Sequence, residues 1–257
     1  MRNKVFQSFA EAVADIPDGA SIAAECWGTT GLSQNLVAAL IKHGAKDLTI
    51  ITHNFLPTVL TFEGFPSANL ADLLPQIKKI ITPVVGLAQL GAGAFVKEWV
   101  EKGLEIELTT HGTLASRLYA GAASLGGFYN PVGVGTIIEE GKEKRVIDGR
   151  EYIFELPIRP DYAFIRAHKA DLNGNLVYWG VYRADQPIMA MAARCTIAEV
   201  DEIVPLGGID AEHVITPGIF VDRIVEVPED GAGSVKNSKA LIGKLAEIDF
   251  VRKLLFK

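Results

Sequence analysis

Two glycine-containing stretches and a few ionisable residues are where this sequence could do chemistry. The first stretch is Glu25-Cys26-Trp27-Gly28-Thr29-Thr30-Gly31. It joins a short apolar run, Ser21-Ile22-Ala23-Ala24, to a segment with Leu36, Leu40 and Ile41 at helical spacing. Glycines at a strand-to-helix join let backbone N–H groups converge on an anion such as a phosphate, a carboxylate or a thioester oxygen. The loop lacks the lysine of a Walker loop and the full G-x-G-x-x-G pattern, and Gly28 and Gly31 would equally serve a tight turn. Cys26 stands at a helix entry, where a thiolate is favoured. No His-Asn or His-Asp set can be assigned to it, so a small packed residue is the plainer reading.

The second stretch, Thr110 to Glu143, offers His111-Gly112-Thr113, then the glycine-rich Pro131-Val132-Gly133-Val134-Gly135-Thr136, then Glu139 and Glu140 among Lys142, Lys144 and Arg145. A histidine at a strand end beside glycine can meet a ligand as donor or base; a hydrogen-bonded loop histidine is the blander alternative. Paired carboxylates can do acid–base or nucleophilic work, but a mixed-charge run beside a hairpin is more often a solvated face. Asp171, Asn173 and Asn175 lack the glycine and glutamate that would complete a calcium loop and read as turn formers. Taken alone, these residues give an anion-receptive loop near Gly28, a second glycine-rich site near Gly133, and no self-sufficient catalytic set.

The elements that must position them alternate. Phe6, Phe9, Ala10 and Val13 predict a helix near residues 8–15, stopped by Pro17-Asp18-Gly19. The strand at Ser21 to Ala24, the helix ending at His43-Gly44 and the strand Leu48 to Ile51 form a β-α-β unit, which implies a parallel sheet. Strand-like residues 77–85, helical 95–102 and strand-like 105–108 repeat the grammar. Asp148-Gly149 between two β-rich runs predicts a hairpin. Further strands are expected at 162–167, 176–179, 196–200, 202–204 and 220–225, a small helix at 189–193, and a helical tail with Leu241, Leu245, Ile248 and Val251 in register. The organisation expected is one α/β domain over residues 1–228 and a C-terminal tail over 229–257.

A chain of 257 residues, 49% hydrophobic with 22% charged, has enough apolar material for a sizeable core. The net charge of −6 and the absence of a basic block argue against a nucleic-acid partner. Two cysteines, Cys26 and Cys195, make no disulfide or metal pattern and suit a reducing cytoplasm. No apolar run reaches membrane-spanning length, so no membrane partner is expected, and with no spaced ligand pattern no metal is expected.

The chain resembles the α (A) subunit of class I, 3-oxoacid-type CoA-transferases, over nearly its whole length up to about Val225. The resemblance rests on Gly112-Thr113-Leu114-Ala115 with Arg117, Ala120-Gly121-Ala122, Phe128-Tyr129, Gly133-Val134-Gly135-Thr136, Glu140-Gly141-Lys142-Glu143, Asp161 with Ala163, Lys169-Ala170-Asp171, Gly174-Asn175-Leu176, Met189-Ala190 and Thr216-Pro217-Gly218. It implies a three-layer α/β/α fold with a mostly parallel sheet, shared with sugar-phosphate isomerase-like proteins. It also implies half an enzyme. The nucleophilic glutamate of such transferases belongs to a β subunit, in a Ser-Glu-Asn-Gly-type motif absent from this sequence. The reaction would be ping-pong, with coenzyme A as substrate, no permanently bound cofactor and an αβ or α2β2 assembly. A related CoA-thioester hydrolase, a ring-opening lyase and a non-catalytic ligand-binding homologue are the alternatives, with the partner's glutamate as discriminator.

By the same resemblance, the CoA and substrate site of this chain comprises Glu25, Cys26, Trp27, Gly28, Thr29, Thr30, Gly31, Asn54, His111, Gly133 and Gly135. Three positions depart from the family pattern. Glu25 replaces a glycine, His53-Asn54 replaces Asn-Asn, and His111 replaces a glutamine. Three changes around one pocket imply an altered acyl group.

Overall fold

Short β-branched runs, each followed by a helix, have to pair in parallel, because a helical crossover returns the chain to the same end of the sheet. In the computed structural model, which describes residues 3–24, 31–55, 70–85 and 92–228, they do so. Residues Glu25 to Thr30 and the tail 229–257, for which a loop site and a helix were expected, lie outside the described residues.

The strands are β1 (Ser21–Ala24), β2 (Leu48–Ile51), β3 (Ile77–Thr82), β4 (Glu105–Leu108), β5 (Phe128–Asn130), β6 (Lys144–Ile147), β7 (Arg150–Glu155), β8 (Tyr162–Asp171), β9 (Leu176–Val177), β10 (Cys195–Val204) and β11 (Arg223–Glu226). The helices are α1 (Phe9–Val13), α2 (Gln34–His43), α3 (Ala92–Glu101), α4 (His111–Ala122) and α5 (Gln186–Ala192). The main sheet runs β11-β10-β8-β1-β2-β3-β4, parallel throughout, with β9 antiparallel on β8. From β1 the chain builds outward through β2, β3 and β4, then returns to β1's other side with β8. Strand order therefore reverses beside β1, where an open parallel sheet leaves a crevice at its carboxyl edge.

Alternate residues of β1 face opposite layers. Ile22 and Ala24 join a core with Leu36 and Leu40 of α2 and Val13 of α1. Ala23 joins a second core with Leu114 and Leu118 of α4 and Met189 of α5. The sheet is thus covered on both faces, which is the expected three-layer arrangement.

Several expectations need correction. The two strands expected at 196–200 and 202–204 are one strand, β10, paired along its length with β8. The expected strand 220–225 begins only at Arg223, because residues 218–220 form a 3-10 turn. The strand expected through Trp179 ends at Val177. Between β4 and the 148–149 hairpin, where no element was expected, the chain forms a twelve-residue helix, α4, and then β5, which pairs with β7. The 148–149 hairpin is present, with both Asp148 (φ 50°) and Gly149 (φ 76°) left-handed, as a two-residue primed turn requires. Strands β5, β7 and β6 form a small separate antiparallel sheet.

Candidate active site

His111 is the first residue of α4. Thr110, the N-cap in extended conformation, accepts a hydrogen bond from the Thr113 N–H and donates one from its hydroxyl to Thr113 Oγ1 at 2.9 Å. Asn130, at the end of β5, donates to the same Thr113 oxygen at 2.8 Å. The small sheet is thereby tied to the first turn of the helix that carries His111. Arg117, one and a half turns on, is 8% exposed. It donates to the Leu156 carbonyl and to Glu107 on β4, at 2.8 and 2.6 Å. Burial pushes the Glu107 carboxyl up, but Lys79 and Arg117 outweigh it and hold the group below its ordinary range. This motif arginine is structural.

Three side chains from three separate connections meet at the carboxyl edge. His53, two residues after β2, is 2% exposed. Its Nε2 lies 2.6 Å from Asp185 Oδ2, and its Nδ1 lies 3.0 Å from His111 Nδ1. The two imidazoles are nearly parallel, with an interplanar angle of 7°. Asp185 occupies the N-cap position of α5, yet its carboxylate makes no cap hydrogen bond and turns to His53 instead. The residue before it, Ala184, has φ 26° and ψ −125°, a conformation that an alanine adopts only under constraint.

With His53 neutral, the hydrogen-bond pattern orders the protons in this chain. The Asp185 carboxylate accepts, so His53 Nε2 donates. A neutral His53 then has its lone pair at Nδ1 and accepts from His111 Nδ1–H. A neutral His111 in that tautomer carries its own lone pair at Nε2. Burial lowers the His111 pKa from its ordinary value, by more than the Asp185 carboxylate raises it. The neutral form is therefore the resting one at neutral pH, with Nε2 as an acceptor.

Gln186, fully buried next to Asp185, anchors the arrangement. Its Oε1 accepts from the Arg166 N–H of β8 at 3.0 Å, and its Nε2 donates to the Gly31 carbonyl at 2.7 Å. Gly31, with φ 82°, stands ahead of α2 and is thus held against the start of α5. Helix α2 itself receives an unusual cap. Ser33 makes no cap bond; instead Glu199 Oε2, from β10, accepts from the N–H groups of Asn35 and Leu36 at 3.0 Å. Glu199 is completely buried, 3.5 Å from Arg166, and burial pushes its carboxyl up to about 7 against the pull of that guanidinium. Arg166 also bonds Asp201, which pairs with His168 at 3.1 Å.

Of the residues expected at the site, His111 lies in this cluster and Gly31 is one hydrogen bond from the residue next to Asp185. Asn54 follows His53 directly and is half-buried; its carbonyl faces the Thr52 hydroxyl at 3.4 Å. Gly133 and Gly135 (φ 97° and 77°) belong to the turn after β5. There the Gly135 N–H donates to Glu139 at 2.6 Å, and Lys144 pairs with the same carboxylate, holding it below its usual range. Glu139 braces that turn. Glu25, Cys26, Trp27, Gly28, Thr29 and Thr30 lie outside the described residues. Asp185 and Gln186 were not anticipated: their only sequence signal is a polar pair ahead of Pro187, and it does not reveal that the aspartate leaves its own helix to reach a histidine far away in the chain. Among the described residues, no group of three or more His, Cys, Asp or Glu side chains is arranged to hold a metal ion. No helix among them is long and apolar enough to cross a membrane.

Residues 6–227 match the family model described as coenzyme A transferase. The chain is 42% identical over 237 residues, 91% of its own length and 98% of the relative's, to the A subunit of 3-oxoadipate CoA-transferase from Pseudomonas putida. It is 40% identical to the probable A subunit of succinyl-CoA:3-ketoacid coenzyme A transferase from Bacillus subtilis (strain 168), covering 86% and 89% of the two chains. Among solved structures, it resembles the decarboxylase AibA/AibB, in a cysteine-to-serine variant, at 26% identity, with a TM-score of 0.71 and full coverage of both chains. Glutaconate coenzyme A-transferase from Acidaminococcus fermentans shares the fold at 17% identity, with a TM-score of 0.70 and 98% and 86% of the two chains covered.

Proposed function

The chain belongs to the coenzyme A transferase family, and we propose that it is the α (A) subunit of an enzyme that moves CoA between an acyl-CoA and a carboxylic acid. The observation that carries this is the end-to-end match with a relative named as the A subunit of such an enzyme. The nucleophile is a glutamate of a separate β subunit. It attacks the acyl-CoA to give an acyl-glutamyl anhydride and CoA thiolate. The thiolate attacks the glutamyl carbonyl, releasing the first acid and leaving a glutamyl-CoA thioester. The second acid then reverses the sequence and leaves as its CoA ester.

This chain supplies the wall of the acyl and CoA site. The segment 25–31 follows β1, and the crevice outside that strand is where an open parallel sheet binds ligands. His53, Asn54 and His111 line the carboxyl edge, with Gly133 and Gly135 in the adjoining turn. Coenzyme A is a substrate here and no resident cofactor is needed. Apolar side chains left at the surface of α4 and the small sheet support a second subunit: Tyr119, Leu125, Ile137, Val146 and Leu156 are 50–67% exposed. The acid differs from a short 3-oxoacid, as the departures from the family pattern at Glu25, His53 and His111 imply.

The test is coexpression with a candidate β subunit bearing a Ser-Glu-Asn-Gly-type motif, followed by CoA transfer from succinyl-CoA to a panel of oxo- and dicarboxylic acids. Transfer that disappears when the partner's glutamate becomes glutamine is the expected result. Transfer by this chain alone would refute the reading.

A further inference from the structure

A carboxylate acceptor arrives at neutral pH already ionised, since carboxyl pKa values lie near 4. It needs no base. Yet the carboxyl edge carries what a base needs: a proton-accepting nitrogen whose tautomer is set by a second histidine, itself held by a carboxylate. Base chemistry is required when the attacking group still holds its proton, and the acceptor that does so at an acyl-transfer site is water. We propose that Asp185, His53 and His111 make His111 Nε2 a base through which water takes the acceptor's place, so that the assembled enzyme also hydrolyses its acyl-CoA. The inference rests on the CoA-transferase reading for bringing a thioester to this edge.

The step balances as follows. A water oxygen bonds to the acyl carbon while one of its protons passes to His111 Nε2, and the carbonyl electron pair moves to oxygen. The pair returns, the carbon–sulfur bond breaks, and the proton on Nε2 passes to the leaving thiolate. Acyl-CoA and water give a carboxylic acid and the CoA thiol, and the relay is restored. Between the two transfers the cationic charge on His111 is shared across the 3.0 Å Nδ1–Nδ1 contact with His53, and Asp185 lies 2.6 Å beyond to balance it. His111 is the catalytic residue; His53 and Asp185 position it. A neutral His111 in this tautomer is not an oxyanion donor, which a glutamine amide at the same place would be.

Among the described residues, the titratable groups facing His111 are His53, from the segment after β2 and neutral in this relay, and Asp185, ahead of α5. The one other charged side chain of α4, Arg117, is committed to Glu107 and the Leu156 carbonyl. Protonation of the relay abolishes the base, so hydrolysis falls toward low pH, with a limb below the ordinary histidine range because burial holds the His111 pKa down.

The experiment uses the coexpressed subunit pair with its acyl-CoA and no acceptor acid, reading thiol release, with transfer to acid measured in parallel. The parent pair should hydrolyse. His111→Gln, which keeps a hydrogen-bonding amide but cannot take up a proton, should lower hydrolysis about 100-fold and lower the hydrolysis-to-transfer ratio at least tenfold. Asp185→Asn should cost less and move the acidic limb to lower pH, since it removes a charge that raises the His111 pKa. A parent that releases no thiol, or a His111→Gln pair that hydrolyses at the parental rate, overturns the inference. Hydrolysis without transfer to any acid would instead sink the transferase reading and leave the relay standing. Independently of assembly, histidine-selective 15N spectra of the full chain at pH 7.5 should show His111 Nε2 unprotonated and His53 Nε2 protonated, and Asp185→Asn should scramble both. An Nε2-protonated His111 in the parent overturns the inference as well.

Discussion

Replacing Glu199 by glutamine isolates a conflict at the centre of the molecule. Glu199 is fully buried between the N-terminus of α2 and Arg166. Burial raises its pKa to about 7 from 4.5, while Arg166 and the Asn35 and Leu36 donors pull it down. A carboxyl whose folded pKa is raised contributes its stability fully below the unfolded pKa and loses it as pH rises through the folded value. The window is therefore about pH 4.5 to 7, and the loss across it is about 3 kcal/mol. Glutamine cannot ionise, and its amide oxygen can still accept from the α2 N–H groups. The difference in unfolding free energy between variant and parent should therefore shift in the variant's favour by about 3 kcal/mol between pH 4.5 and pH 8. Urea titrations at both pH values, with matching m-values, measure it, and groups common to both proteins cancel. If the variant loses more stability at pH 8 than at pH 4.5, the charge on Glu199 is net favourable. The Arg166 pair and helix cap would then outweigh desolvation, and the reasoning would be wrong.

Other substitutions test the positioning of the site. Ala184→Gly relieves a strained backbone ahead of Asp185 and should gain about 1 kcal/mol in denaturant titration. Gly121→Ala should destabilise by about 1–3 kcal/mol despite alanine's better helix propensity, because a Cβ there would overlap the Ile158 carbonyl; a raised melting temperature would refute the close approach. Thr110→Ala removes the cap of the helix that starts at His111 and should cost about 1 kcal/mol, with a loss of activity larger than the stability change alone explains. Tyr119→Lys together with Val146→Lys should weaken coexpressed assembly, measured by sedimentation, while leaving the melting of the isolated chain within about 0.5 kcal/mol of the parent.

Local patterns carried the fold further than the site. Leu36, Leu40 and Ile41 before His43-Gly44 predict α2, and Gly44 closes it in the left-handed conformation at φ 82°. Asp148-Gly149 predicts its hairpin because both residues tolerate positive φ. Where long-range packing decides, local reading fails. Residues 195–204 look like two strands because Asp201 interrupts the run. Pairing with all of β8 keeps the strand continuous, and Asp201 is spent on Arg166 and His168. Helix α4 is hidden by its small residues, Ala115, Ala120, Gly121 and Ala122, of which Gly121 lets the backbone approach the Ile158 carbonyl.

The relay was illegible for a related reason. His53, His111 and Asp185 are separated by 58 residues or more, and each stands at or just outside the end of a regular element, where spacing carries no signal. What brings them together is topology. β2 and β4 are parallel strands of one sheet, so the residues after both emerge at the same edge, and α5 returns to that edge because Gln186 pins its start to β8 and to Gly31. Two departures that look independent in sequence, His53 and His111, are in contact, and the aspartate that explains both has no motif. A histidine at position 111 is a base in this tautomer with His53 neutral beside it, and among the described residues Asp185 holds His53 in the tautomer this needs. His53 and Asp185 act only through His111, so a double variant His53→Asn/Asp185→Asn should be no slower in hydrolysis than the slower of its single parents, whereas full additivity would show that the two act separately.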